Sequence, residues 1–313
     1  MNTEHLSKMK IHFVILVVLC AFALNSILCR LALVQTSLDP MSFTTLRLMS
    51  GALVLAMLVV LTNRNEIKGR SENRERGENR SENNTLCLNA AFLNKGWITP
   101  LALLAYAVSF SFAYVSLPAG IGALLLFGAV QFTMIGYGLY SGERLNKKQW
   151  CGLFVAIFGV LVLFLPGASA PSLIGSALML VSGVGWAVYT VRGKGASNPI
   201  QTTGINFLKA SILSLFMSLL FISEFTWDSM GALYALLAGG VTSGLGYALW
   251  YFVLPSLKVT TAATLQLSVP VIAIFMGVLL LGEQVTLHLF LSSLTILGGV
   301  FLYILAGMAP RVR

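Results

Sequence analysis

The groups that could do chemistry in this chain are few, and they sit inside long apolar runs. Gln131 falls at the centre of one run and Gln266 toward one end of another, while Asn25, Tyr106, Tyr189 and Tyr247 place amides and hydroxyls at comparable depths, with Trp186 and Trp250 close by. Spaced along apolar helices, such groups supply the few hydrogen bonds that a small-molecule pocket needs beside an apolar wall. They also suit hydrogen bonds between helices, and Trp and Tyr near run ends suit an interfacial belt. Two cations, Arg47 and Lys209, lie in apolar runs as well. A charge in a bilayer is costly and marks function by default. Arg47 either snorkels to lipid phosphate or faces a cavity, where it holds an anionic group or a helix end. About two turns is far to snorkel, which favours the interior. Lys209 is nearer a run's end, where snorkelling suffices.

Soluble enzyme chemistry has no foothold. His5, His12 and His288 are scattered, and Cys20, Cys29, Cys87 and Cys151 lack paired metal spacing. A phosphate-binding Gly-Lys-Ser/Thr loop is missing too. The expectation is therefore no catalytic residue, no metal, no cofactor and no ATP-driven step. No Asp or Glu lies deep in a run. Carboxylates commonly relay protons or sodium, so this points to a uniporter, an exchanger, or coupling at the membrane edge, where Glu143 and Glu283 are the candidates. Both also suit a structural role at a helix end.

The elements that must position these groups follow from composition. The chain of 313 residues is 57% hydrophobic and only 10% charged, with mean hydropathy +0.85. A soluble domain carries roughly a quarter charged residues. Apolar runs at about 11–34, 41–62, 97–117, 120–141, 150–167, 173–193, 203–223, 230–252, 259–281 and 287–307 predict ten transmembrane helices. Lys8 and Lys10 ahead of the first run, with Ala21-Phe22-Ala23, resemble a signal peptide, but the run continues past that site to Val34.

The net charge of +9 resolves into topology. If the amino terminus is cytoplasmic, the inward segments carry Lys8, Lys10, Arg64, Lys68, Arg70, Arg74, Arg76, Arg80, Lys95, Arg144, Lys147, Lys148, Arg192, Lys194, Lys258, Arg311 and Arg313, and the outward loops carry no basic residue. Arg30, Arg47 and Lys209 lie within or at the ends of runs. This positive-inside pattern puts both termini in the cytoplasm of a multi-pass inner-membrane protein and leaves nothing for nucleic acid to explain. Cys87 and Cys151 then face a reducing compartment, where no disulfide is expected. Residues 64–95 form the one long loop, and Ser71 to Asn84 is too polar to fold, so the segment reads as a disordered cytoplasmic insert. Two Asn-x-Ser/Thr matches in it, at Asn79 and Asn83, are on the wrong side for glycosylation.

The sequence also repeats. A shift of 140 lays Gly142-Glu143 on Gly282-Glu283, Ser116-Leu117 on Ser256-Leu257, Phe112 on Phe252 and Gly159-Val160 on Gly299-Val300. A shift of 159 lays Asp39-Pro40 on Asn198-Pro199 and Arg47 on Asn206, and a shift of 164 lays Arg30 on Lys194 and Asn25 on Tyr189. Residues 1–167 and 168–313 thus read as two five-helix halves. An odd number per half inverts one against the other, an architecture of secondary transporters whose substrate site lies between the halves. Gly122, Gly128, Gly136, Gly138, Gly240, Gly244 and Gly246 read as close helix contacts, with Gly240-x-x-x-Gly244 at the expected spacing.

The Gly-Glu that ends the fourth helix of each half, with the Gly-rich fifth helices (Gly152 and Gly159; Gly298 and Gly299), resembles the EamA-like branch of the drug/metabolite transporter superfamily. The resemblance covers nearly the whole chain outside 64–95. Pro270 stands where that family usually has a proline; by the 140 shift its counterpart is Val130, and Ser292 replaces the glycine that Gly152 supplies. The resemblance implies a carrier of small metabolites, often an exporter. The expected fold is an all-α integral membrane protein, and the expected partners are a small-molecule substrate and the lipid bilayer. The leading reading is a secondary carrier of a small amphipathic metabolite, an amino acid or related compound. A channel-like facilitator and an intramembrane enzyme or lipid flippase stay open beside it.

Overall fold

Helix starts are written by side chains that replace the missing backbone partners of a first turn. Asp39 accepts from the amides of Met41 and Ser42 at 3.0 and 2.8 Å, and Asn198 from Gln201 at 3.1 Å, each just ahead of a proline at the first helical position. Asp39-Pro40 and Asn198-Pro199 therefore open corresponding helices in the same way. The helix stops correspond too: Gly142 and Gly282 take left-handed φ values of +87° and +66°, which explains the glycine of each Gly-Glu pair.

The computed structural model describes residues 3–74, 96–142, 144–165, 171–193, 198–253 and 265–308. Among them the helices are α1 (Thr3–Gln35), α2 (Pro40–Arg74), α3 (Ile98–Tyr114), α4 (Ala119–Tyr140), α5 (Lys147–Leu163), α6 (Leu173–Gly193), α7 (Pro199–Ser218, followed by 3-10 turns at Leu219–Glu224), α8 (Ser229–Val253), α9 (Ser268–Leu281) and α10 (Leu287–Met308). No strand occurs among the described residues. Seven helices are long and apolar enough to cross a membrane, and α3 and α9 are shorter apolar helices. Besides α1, which begins at Thr3, two helices start several residues earlier than the apolar runs suggest. Asn146 and Gln149 form a reciprocal cap ahead of α5, and Asn198 caps α7, so polar residues extend both helices.

Consecutive helices run antiparallel. At one end of the bundle Asp39 pairs with Thr226, Arg30 reaches the end of α3, Glu283 reaches the start of α4, and His288 contacts the Val162 carbonyl at the end of α5. At the opposite end Asn146 donates to the Ala306 carbonyl at 2.9 Å. The main packed pairs are α5 with α10, α3 with α6, α1 with α8, α2 with α7, α4 with α6, α1 with α9, α4 with α9, α2 with α8 and α3 with α7.

Polarity is reversed relative to a soluble bundle. On α2, Arg47 is 1% exposed and Leu53 is 70% exposed, as a lipid-facing exterior requires. Close helix contacts rest on glycine. At Gly152 and Gly299 a Cβ would stand 2.6 and 2.4 Å from the backbone of the facing helix, which fixes the α5–α10 seam. Gly122 abuts the Tyr114 ring and Gly240 and Gly244 straddle Val54, but Gly128, Gly136 and Gly298 face open space, so the expected glycine faces are only partly contacts.

One boundary needs correction. The insert expected at 64–95 does not begin at residue 64, because α2 continues as helix to Arg74. Glu, Lys and Arg in this stretch are good helix formers, so an established helix propagates past the apolar limit. The remainder of that segment, with Cys87, lies outside the described residues, as do Glu143, Lys194 and Lys258.

Candidate functional site

Midway along the bundle, α1, α3, α4, α6 and α8 meet around a small cavity whose free space is about 20 Å³, room for a water molecule. Aromatic residues form much of its wall: Phe22 of α1, Tyr106 and Phe110 of α3, Phe127 of α4, Trp186 of α6 and Tyr247 of α8. Trp186 sits between Tyr106 and Tyr247, at ring centroid distances of 5.1 and 5.0 Å. Asn25 and Ser26 of α1 and Thr242 and Ser243 of α8 supply the polar part.

A buried hydrogen-bond chain ties these helices together. The Arg47 guanidinium donates from Nη2 to Tyr106 Oη at 2.7 Å, Asn25 Nδ2 approaches the same oxygen at 3.5 Å, and Thr242 Oγ1 lies 3.2 Å from Asn25 Oδ1. The guanidinium carbon stands 5.1 Å from the Tyr106 ring centre and 4.7 Å from that of Phe110. Such faces attract a cation. Arg47 Nε and Nη1, and Ser243 Oγ, are buried without a hydrogen-bond partner among the described residues.

Helix α8 delivers its residues through a defect in its ladder. Residues Ala238–Leu245 form a π-helical segment carrying Thr242 and Ser243. Wider turns of this kind recur at functional sites because they re-aim side chains. At Gly239 a Cβ would lie 2.0 Å from the Arg47 carbonyl oxygen, so α8 touches the α2 backbone where Arg47 leaves it.

Of the eight residues expected to bind substrate, Asn25, Tyr106, Trp186 and Tyr247 line the cavity. Tyr189 stacks on Trp186 at 5.5 Å, and Trp250 contacts Phe22 at 6.1 Å, so both stand behind the wall. Gln131 is buried one turn beyond Phe127 on α4, and Gln266 is half-buried ahead of α9; neither lines the cavity. Lys209 is 1% exposed, with its amine 4.8 Å from the Trp97 ring centre. It is covered by protein where snorkelling was expected. Phe22, Ser26, Phe110, Thr242 and Ser243 were missed; the Thr-Ser pair inside the glycine-rich run 239–246 was the available signal.

Toward the end of the bundle where α3 meets α4, a clamp of Glu283 and Arg30 ties helix ends together. Glu283 accepts from the Ala119 amide at 2.8 and 3.0 Å through its two oxygens, and its Oε1 is 3.7 Å from Arg30 Nε. Arg30 also donates to the carbonyls of Tyr114 and Val115 at 2.8 and 3.0 Å. Glu283 thus caps α4, and Arg30 satisfies the end of α3. A hollow of about 300 Å³ lies beside this clamp, between Ser116, Pro118, Ile274 and Thr286.

The chain is similar to known proteins over nearly its whole length. An uncharacterized protein of Pseudomonas aeruginosa is 45% identical over 93% of this chain and 92% of its own. A probable amino-acid metabolite efflux pump of Escherichia coli is 28% identical over 64% of this chain and 75% of its own. A solved crystal structure superposes with TM-score 0.59 at 18% identity, over 93% of this chain and 97% of that one, a likeness in fold. The model of the EamA-like transporter family matches residues 9–165 and 173–305. With its apolar helices and that match over nearly the whole chain, this multi-pass membrane protein belongs to the EamA-like transporter family, a family of transporters and not of enzymes.

Proposed function

We propose that this protein is a secondary carrier that exports small amphipathic metabolites, amino acids or related compounds, across the inner membrane by alternating access. In this reading α1–α10 all cross the bilayer as two inverted halves, residues 1–167 and 168–313, with both termini in the cytoplasm. The observation that carries it is the central cavity. Its wall draws on α1 and α3 of one half and on their counterparts α6 and α8 of the other. A site between inverted repeats is where such carriers bind substrate.

The packing supports the repeat. Exchanging each helix for the one five later turns the α3–α6 pair into α8–α1, α4–α6 into α9–α1, and α2–α8 into α7–α3, all of which pack together. The α5–α10, α2–α7 and α4–α9 pairs map onto themselves. A channel fits less well, because the cavity holds about 20 Å³ and a clamp stands over one end, where a continuous polar path would be needed.

Efflux from proteoliposomes loaded with each of a panel of radiolabelled amino acids, with and without a proton gradient, tests the proposal. Saturable, counter-flow-stimulated transport of at least one compound is expected. Flux that rises linearly with concentration and shows no counter-flow would point to a channel.

A further inference from the structure

We propose that Arg47 is the anchor for a substrate carboxylate, and that the carboxylate, not an amino group, is the feature a substrate must have. The inference rests on the reading of the central cavity as the transport site.

Arg47 is a charge without a counter-charge. It is 1% exposed, and of the 11 acidic residues in the chain none lies between Asp39 and Glu66 or between Glu82 and Glu143, so α2 and α3 bring no carboxylate to it. The remaining apolar runs carry none either. Its single protein hydrogen bond among the described residues uses one Nη2 proton, on Tyr106 Oη at 2.7 Å. The Nε–H and both Nη1–H donors have no acceptor among the described residues. A buried cation left so short of partners is strongly unfavourable. Two aromatic faces, Tyr106 and Phe110, offset part of that cost, and both of them line the cavity. Arg47 itself stands behind that wall, so the missing acceptor reaches it from the cavity past Tyr106 and Phe110.

The chemistry of the acceptor follows from charge and space. One guanidinium is neutralised by one carboxylate, and its planar donors match that group well. A phosphate dianion would leave a surplus negative charge beside aromatic walls. The other buried cation, Lys209, sits against Trp97, more than two turns along α3 from Tyr106, and adds nothing here. Ser243 Oγ, also on the wall and without a partner, can donate to the same carboxylate.

For an ammonium group the cavity offers much less. Among the described residues no carboxylate lines it, and Asn25 Oδ1 lies 3.2 Å from Thr242 Oγ1, whose proton is shared with the Ala238 carbonyl at 2.7 Å. Neutral hydroxyls and aromatic faces are left for a cation, with no counter-charge among them. A substrate keeps its affinity without an amino group and loses it without a carboxylate.

The test is transport by the full-length protein in proteoliposomes, using leucine, leucinamide and 4-methylpentanoate, and in parallel phenylalanine, phenylalaninamide and 3-phenylpropanoate. The acid and the des-amino acid of at least one set should be carried with apparent affinities within about threefold, and the amide at least tenfold more weakly. Arg47→Gln should abolish the difference between acid and amide. Arg47→Lys should restore part of it. Melting temperatures of both variants separate a lost anchor from a lost fold, and the comparison of acid with amide needs no variant at all. An amide carried as well as its acid overturns the carboxylate anchor while the carrier reading stands. Transport of the amino acid but not its des-amino form overturns the claim that the amine is dispensable. If none of the six compounds is carried, both readings fall.

Discussion

If the protein alternates between two faces as proposed, removing the Glu283 carboxylate should open one end of it. Three contributions are lost in Glu283→Ala. The cap on the Ala119 amide is worth about 1 kcal/mol. A negative charge at the amino end of α4 adds roughly 0.3–1 kcal/mol. The Arg30 pair, whose side chains are 18% and 17% exposed, is partly screened and adds at most about 1 kcal/mol. Together they come to about 2 kcal/mol, which shifts a two-state equilibrium roughly 30-fold. Glu283→Gln keeps an acceptor for the Ala119 amide and loses only the charge, so its effect should be about 5-fold. The readout is a cysteine placed at Ser26, on the cavity wall, in a protein whose four native cysteines are replaced. An impermeant maleimide applied to intact cells should label it faster in both variants, in the order Ala over Gln over the parent. In inside-out vesicles the order should reverse. If labelling from outside is unchanged while the melting temperature falls, Glu283 is a static brace and the gating argument is wrong.

Two further outcomes follow from packing. Gly239→Ala should lower stability by roughly 1–3 kcal/mol, because the new Cβ would stand 2.0 Å from the Arg47 carbonyl, while Gly128→Ala, with nothing within 4 Å, should be neutral or slightly stabilising; thermal denaturation of both in the same detergent decides it. Gln131→Leu should leave the apparent affinity for any transported amino acid within twofold, since Gln131 is off the cavity wall; a tenfold loss with an unchanged melting temperature would return it to the site.

Depth was legible in the sequence, and direction was not. Position along an apolar run gives the level at which a side chain sits, and on that basis Asn25, Tyr106, Gln131 and Tyr247 look alike. Each step along a helix turns a side chain by about 100°. Packing alone decides which of them meets the cavity, and it turned Gln131 away. The helix punctuation was legible because its signals are local: Asp39-Pro40, Asn198-Pro199 and the two Gly-Glu pairs each act within a turn of themselves. The π-helical segment of α8 was not, since an extra residue in a turn leaves no mark on hydropathy. Its consequence, that Thr242 and Ser243 face the cavity, stayed hidden with it. Arg47 stood out as a charge in an apolar run, and the lack of carboxylates in the runs was legible beside it; that its Nε and Nη1 meet no other acceptor among the described residues required the fold.

The π-helical segment has no counterpart in α3, which is α-helical throughout. In a carrier whose halves were identical, facing one side of the membrane would be the mirror of facing the other, and the two states would be degenerate. Here the second of the two proposed halves holds a π-helical turn, Arg47 answers to Asn206, and Asp39 to Asn198. On the proposed alternating-access reading each difference would lift the degeneracy and give the empty protein a preferred resting face. Such a bias would be set by the chain itself, before any gradient or substrate acts on it.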